Sequence, residues 1–103
     1  MIYMKSYSTE KGHVIAMCDE GIIGKILEDG ALLIDLKTYA GFYKGELLDE
    51  GAAAGKLKGI RIYSANVIGK EAVGVIKKEE LAKDSDIRMV NGVPFVQIYK
   101  VDY

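Results

Sequence analysis

Apolar and polar positions alternate with period two toward both ends of the chain and take a helical period in between. Residues 2–7 set Ile2, Met4 and Ser6 against Tyr3, Lys5 and Tyr7, which predicts a strand with two different faces. Glu10-Lys11-Gly12 is a turn, and residues 13–18 run back as the second half of a hairpin. Asp19-Glu20-Gly21 breaks that strand, with Asp19 placed to cap a short turn over Ile22 and Ile23. Residues 26–27 and 31–36 predict short strands around Glu28-Asp29-Gly30, because Asp-Gly is a strong hairpin signal. Residues 38–45, TYAGFYKG, make an aromatic loop.

Residues 46–57 predict a helix with Leu47, Leu48, Ala52 and Gly55 on one face. Gly51 and Gly55 each weaken it by about 1 kcal/mol relative to Ala. Their spacing, continued at Gly59, permits close backbone packing against a neighbour. Residues 59–78 supply a strand, a cap and a helix in succession. Ile60 and Ile62 alternate with Arg61 and Tyr63, and Asn66 can accept from the amides of Ile68 or Gly69. Ile68, Ala72, Val75 and Ile76 then form one apolar helical stripe, and Lys77 and Lys78 suit the negative end of the helix dipole. Residues 87–90 and 95–101 predict a last hairpin about Asn91-Gly92, with Pro94 at a strand start or edge. The pattern predicts an α+β fold: a mixed, mostly antiparallel sheet of about five or six strands with two main helices.

At 103 residues the chain is expected to form a single domain over 1–103. A chain of this size can bury roughly two thirds of its unfolded surface, so it needs no metal or disulfide staple. One cysteine excludes an internal disulfide and fits a reducing compartment. Without a signal-peptide pattern or an apolar run of transmembrane length, the expectation is a cytoplasmic protein with no membrane partner. A net charge of −1 gives no global pull toward nucleic acid, and nothing favours DNA. Charge is uneven, however: residues 19–50 hold eight acids and three lysines, and residues 55–78 hold six basic residues and one acid. Two solvated faces are the plainer account of this unevenness, ahead of a binding surface.

Candidate chemistry is limited. One Cys and one His cannot build the common zinc sets, and no loop carries calcium-ligand spacing, so no metal or cofactor is expected. A weak hard-cation cluster of Asp19, Glu20, Asp49 and Glu50 is the nearest approach to one. His13 and Cys18 fall on opposite faces of one strand, roughly 16 Å apart at about 3.3 Å per residue, too far for a nucleophile pair. GAAAGKL at residues 51–57 lacks both the glycine spacing and the Ser or Thr of a phosphate loop.

Three functional readings remain open. In the first, a non-catalytic module binds RNA or the ribosome. Lys56, Lys58, Arg61 and Lys70 contact phosphate, beside Ser64, Asn66 and the helix-start amides of Ile68 and Gly69. Tyr3, Lys5 and Tyr7 on the first strand and Phe95, Gln97 and Tyr99 on the last form one stacking platform if those strands share a sheet. The same aromatics are accounted for by packing alone. In the second, an enzyme or small-ligand binder sets Cys18, Asp19, Glu20, Tyr43 and Glu46 opposite the start of the helix at Asn66. Cys18 also reads as a small buried residue with no role. In the third, the aromatic loop or the small-residue helix mediates protein contacts, including a homodimer.

AMCDEGIIGK (16–25), FYKGE (42–46), SANVIGKEAV (64–73) and NGVPFVQIYK (91–100) stand in this order. Together they resemble the small archaeal family known as domain of unknown function number 424. Order and spacing carry the likeness, which spans nearly the whole chain. It implies an archaeal cytoplasmic protein, loosely associated with translation or RNA metabolism, and implies no activity. The family pattern often has His after the proline, where this chain has Phe95. The matching positions most open to a role are Cys18, Asp19, Glu20, Gly24, Lys25, Tyr43, Gly45, Glu46, Ser64, Ala65, Asn66, Gly69 and Gln97.

Overall fold

The computed structural model describes residues 1–99. Strands β1 (Ile2–Thr9) and β2 (Gly12–Asp19) form the expected hairpin, with Ile2 opposite Asp19 and Thr9 opposite Gly12. A 3-10 turn over Glu20–Ile22 leads to β3 (Ile26–Asp29) and β4 (Leu32–Asp35), which pair only with each other. A four-residue helix α1 (Ala40–Tyr43) lies inside the aromatic loop. Then come β5 (Glu46–Leu48), α2 (Glu50–Lys58), β6 (Ile62–Ile68), α3 (Lys70–Lys78), and the hairpin β7 (Arg88–Val90) and β8 (Val93–Tyr99). The main sheet has six strands in the order β5-β1-β2-β6-β8-β7. Only β2 and β6 run parallel; the other neighbours are antiparallel. The architecture is the mixed α+β fold expected from the pattern.

The two faces of this sheet are covered differently. On one, Ile2, Met4, Ile15, Met17, Val67 and Val96 are buried against α2 and α3. Those helices contribute Ala53 and Leu57, and Ala72, Val73, Val75 and Ile76. On the other, Cys18, Ile68 and Val90 pack under Leu27 and Leu36 from the β3–β4 hairpin. Period-two alternation sends each strand's neighbouring residues into these separate cores.

Four sequence expectations are corrected. First, residues 46–48 are a strand. Glu46, Leu47 and Leu48 pair with Met4, Tyr3 and Ile2, and the helix starts only after Asp49, whose carboxylate accepts from the Ala52 amide at 2.7 Å. Leu47-Leu48 fits either period, and an open edge beside β1 captures it. Second, α2 buries Ala53 and Leu57, while Gly51, Gly55 and Gly59 meet no close neighbour on another element. The small-residue packing face is therefore not formed. Third, the last strand begins at Val93 rather than Phe95, with Pro94 opposite Met89; the expected extension to residues 100 and 101 lies outside the described residues. The tight turn before it is as expected: Asn91 and Gly92 both have positive φ (48° and 77°), as the favoured two-residue hairpin turn requires.

The fourth correction matters most. Asn66 caps nothing: β6 continues through Ile68, and α3 starts at Lys70. The cap comes from Asp19, 52 residues before Glu71. The Asp19 carboxylate accepts from the Glu71 amide at 3.0 Å and the Ala72 amide at 2.8 Å, and makes no cap bond to the turn that follows it. Gly69 makes room for this. Its backbone (φ 113°, ψ 154°) lies in a region closed to side-chain-bearing residues. A Cβ there would stand 2.5 and 2.6 Å from the Asp19 carboxylate oxygens. Burial pushes the Asp19 carboxyl above its ordinary value, and the two amide bonds pull it partway back.

Asp19→Ala should lower the unfolding free energy by about 2–3 kcal/mol, from a lost cap and unpaired helix amides. Gly69→Ala should cost about 2 kcal/mol or more. Because the added methyl collides with Asp19, its cost should shrink in the Asp19→Ala background, by about 1 kcal/mol in a chemical-denaturation cycle. Strict additivity would show that the two residues do not meet.

Candidate functional site

A groove of about 700 Å³ opens on the face of the sheet away from α2 and α3. Its floor is the middle of β6 and β8. Asn66 and Gln97 are direct cross-strand partners, and Gln97 Nε2 donates to Asn66 Oδ1 at 3.2 Å. Ile68 and Phe95, the next pair along the same face, extend the floor. One wall is β4 and α1, through Leu33, Ile34, Tyr39, Phe42 and Tyr43. Arg88, the cross-strand partner of Phe95, also lines the groove.

That wall is fastened to β1. Tyr7 stacks on Phe42 with ring centroids 5.3 Å apart and planes 11° apart, and its hydroxyl donates to the Phe42 carbonyl at 2.9 Å. Lys5 Nζ donates to the Gly41 carbonyl at 3.0 Å, and the Lys44 ammonium lies 5.9 Å from the Tyr3 ring centre. The rings of Phe42 and Tyr43 meet edge-on at 5.1 Å. Burial pushes the Tyr43 phenol above its ordinary value, with Cys18 adding to the effect.

The groove combines an apolar interior with few polar groups. Asp35 lines it, but its carboxylate is committed to the turn after β4, accepting from the amides of Lys37 at 3.0 Å and Thr38 at 2.8 Å. Bonds from the Thr38 amide and hydroxyl, with a smaller one from Lys37, hold this carboxyl below the ordinary range. Among the described residues no carboxylate pairs with Arg88, so its guanidinium is available at the groove mouth. Each amide of the floor pair keeps unused bonding capacity: Nδ2 of Asn66 and Oε1 of Gln97 make no hydrogen bond with the described residues.

The residues singled out from the sequence are dispersed. Lys56 pairs with Glu46 at 2.7 Å and Lys58 with Glu79 at 3.8 Å, on the helix-covered side. Lys70 opens α3 on that same side, and Arg61 precedes β6, its carbonyl accepting from the His13 amide at 2.8 Å. Ser64 is buried and Asn66 half-buried, and both point to the opposite face from those lysines. The helix-start amides expected to be open are occupied. The Gly69 amide donates to the Pro94 carbonyl at 2.9 Å, and Ile68 lies buried within the ladder between β2 and β8. The two aromatic strands do share a face, yet β2 and β6 separate them, roughly 14 Å at about 4.8 Å per strand. Tyr3, Lys5 and Tyr7 hold α1, so a single platform is not formed. Phe95 and Gln97 line the groove and Tyr99 is exposed beyond them.

The Cys18 pocket is also taken apart. Cys18 is fully buried, Asp19 points to the other side of the sheet into the α3 cap, Glu20 is exposed, and Glu46 pairs with Lys56 at the far edge. Tyr43 alone of that set lines the groove. Asp19 and Asp49 cap different helices, so the hard-cation cluster is not assembled, and among the described residues no three His, Cys, Asp or Glu side chains converge. The sequence reading missed Arg88. Its signal was present: a two-residue turn at Asn91-Gly92 sets residue 90 opposite 93 and 88 opposite 95. The wall from β4 and α1 had no comparable signal.

Burial, with Asp19 adding, pushes the Cys18 thiol up to about 12. The native protein should therefore leave Cys18 unmodified by a thiol-reactive dye over hours at neutral pH and label stoichiometrically once unfolded. Rapid native labelling would contradict the sealed packing around it.

Three comparisons with known proteins bear on identity. The family model described as "Protein of unknown function (DUF424)" matches residues 7–101. The crystal structure of an uncharacterized conserved protein from Methanopyrus kandleri shares the fold with a TM-score of 0.80, at 23% identity over 99% of this chain and 96% of that one. No curated protein matches the sequence. Among the described residues no helix is long and apolar enough to cross a membrane. With the family model spanning all but the two ends of the chain, the protein belongs to this family of unknown function, the one its four sequence segments resemble.

Proposed function

We propose that the protein is a non-catalytic module that holds an unpaired nucleotide of single-stranded RNA in the groove over β6 and β8. One observation carries this reading: aromatic side chains, a paired amide floor and an uncommitted guanidinium converge on one concavity of about 700 Å³. A flat ring gains from stacking on aromatics, its edge from amide hydrogen bonds, and its phosphate from Arg88. The volume falls within the range of small-ligand sites. Lys56, Lys58 and Lys70 lie on the helix-covered side and are not used. The association with RNA metabolism implied by the family resemblance is of the same kind.

Fluorescence anisotropy with short single-stranded RNA tests the reading. Binding through one or two phosphates should give a log–log salt slope of about −0.7 to −1.4, against about −3 if the four cations at 56, 58, 61 and 70 were engaged. Arg88→Ala and Phe95→Ala should each weaken binding about tenfold, a loss of roughly 1.4 kcal/mol. Lys58→Glu should change it less than about twofold, as expected of a charge outside the site. No binding at low salt, or a steep slope with loss on Lys58→Glu, would overturn the proposal.

A second reading has its own observation. Ile26, Leu33 and Tyr39 are 53%, 62% and 64% exposed along the β3–β4 hairpin and α1, an apolar rim suited to a protein contact. Light scattering separates the two. RNA binding in the groove predicts a monomer at micromolar concentration. A dimer that Leu33→Glu dissociates would favour the rim as a homodimer surface instead.

A further inference from the structure

We infer that the Asn66–Gln97 pair reads the hydrogen-bonding edge of an unpaired base without choosing which base it is. This rests on the groove being the nucleotide site and specifies how that site recognises its ligand.

The inference follows from the chemistry of two facing amides. Gln97 Nε2 donates to Asn66 Oδ1, which leaves the Asn66 Nδ2 donor and the Gln97 Oε1 acceptor free. Neither amide makes another hydrogen bond with the described residues, so none of these residues pins either orientation. Rotating both amides by half a turn reverses the bond, with Asn66 Nδ2 donating to Gln97 Oε1. The free groups then become the Asn66 Oδ1 acceptor and the Gln97 Nε2 donor. In both states the pair offers one donor and one acceptor side by side, in opposite order.

The pairing edges of the four bases divide in the same way. Adenine and cytosine present a ring-nitrogen acceptor beside an exocyclic amino donor. Guanine and uracil present a ring N–H donor beside a carbonyl acceptor. With the ring held in one stacked pose on the aromatic side chains of the groove, one amide order suits the first group and the inverted order suits the second. Had either amide been fixed by a third hydrogen bond, one group would be favoured. Its freedom makes the site an edge reader that tolerates sequence. A backbone carbonyl and amide in the same place could not invert.

Replacing one amide by a carboxylate removes the donor choice. In Gln97→Glu, residue 97 can only accept, so Asn66 Nδ2 is drawn into the pair. The surface left to a ligand then has two acceptors, which match the adjacent ring N–H and amino donors of guanine. Gln97 is exposed on β8, so the change does not touch the core.

The experiment uses oligoribonucleotides with one base between abasic positions, titrated into the full-length protein. All four bases should bind within about threefold of one another, as expected of a site that supplies both orders. 3-Methyluridine and 1-methyladenosine, whose pairing edges are blocked, should bind at least about tenfold more weakly. Gln97→Glu should favour guanine over the other bases by about tenfold or more. A wild-type preference above tenfold for one base, equal binding of the methylated bases, or a Gln97→Glu protein without guanine preference would each overturn the inference. If RNA of any sequence fails to bind, the function proposed above falls with it. If RNA binds with any of the contrary patterns, only the edge-reading inference falls.

Discussion

The Asp19 carboxylate, inserted between Gly69 and the first turn of α3, is the contact on which the rest of the arrangement depends. It sits at the end of β2 and reaches the segment that leaves β6, so it ties together the ends of the two parallel strands at the centre of the sheet. A parallel pair has no short turn of its own to set its register, and here a side chain does part of that work. The cost is visible in the chemistry: burial raises the carboxyl's pKa despite two amide bonds. A buried charge of this kind serves geometry more than net stability. β6 runs on to Ile68, and its antiparallel pairing with β8 sets Asn66 opposite Gln97.

That constraint explains why the two faces differ. With α3 anchored at its start, Ala72, Val73, Val75 and Ile76 seal one side together with α2. Among the described residues nothing comparable covers the other. The β3–β4 hairpin and α1 roof only part of it, held along β1 by Tyr7, Lys5 and Lys44. The uncovered remainder is the groove.

Local features of the fold were legible in the sequence, and long-range ones were not. The first hairpin, the β3–β4 turn at Asp29-Gly30 and the Asn91-Gly92 turn could be read because turn chemistry is set by adjacent residues. The apolar stripe of α3 could be read for a similar reason. The boundary between β6 and α3 was misplaced because Asn66 satisfies the local rule for a cap, while the true cap lies on another strand. The start of α2 was misplaced although Asp49 is a good cap, since Leu47-Leu48 extends the helical stripe equally well. Among site residues, Asn66, Phe95, Gln97 and Tyr43 were singled out and do line the groove. The lysines at 56, 58 and 70 were grouped with them by sequence proximity, and the sheet separates what the chain order joins. Arg88 was derivable from hairpin register. The wall from residues 32–43 depends on a hairpin folding back over a distant strand, which no local pattern encodes.

The central claim is that the β6–β8 face, and not the basic helical side, meets the ligand. Side-chain amide resonances report on it directly. Titrating a short single-stranded RNA into isotope-labelled protein should shift the Asn66 and Gln97 side-chain amide signals and the Arg88 guanidinium signal first, with the backbone of α2 and α3 unmoved. Shifts confined to Lys56, Lys58 and Lys70, with both side-chain amides unchanged, would contradict the account.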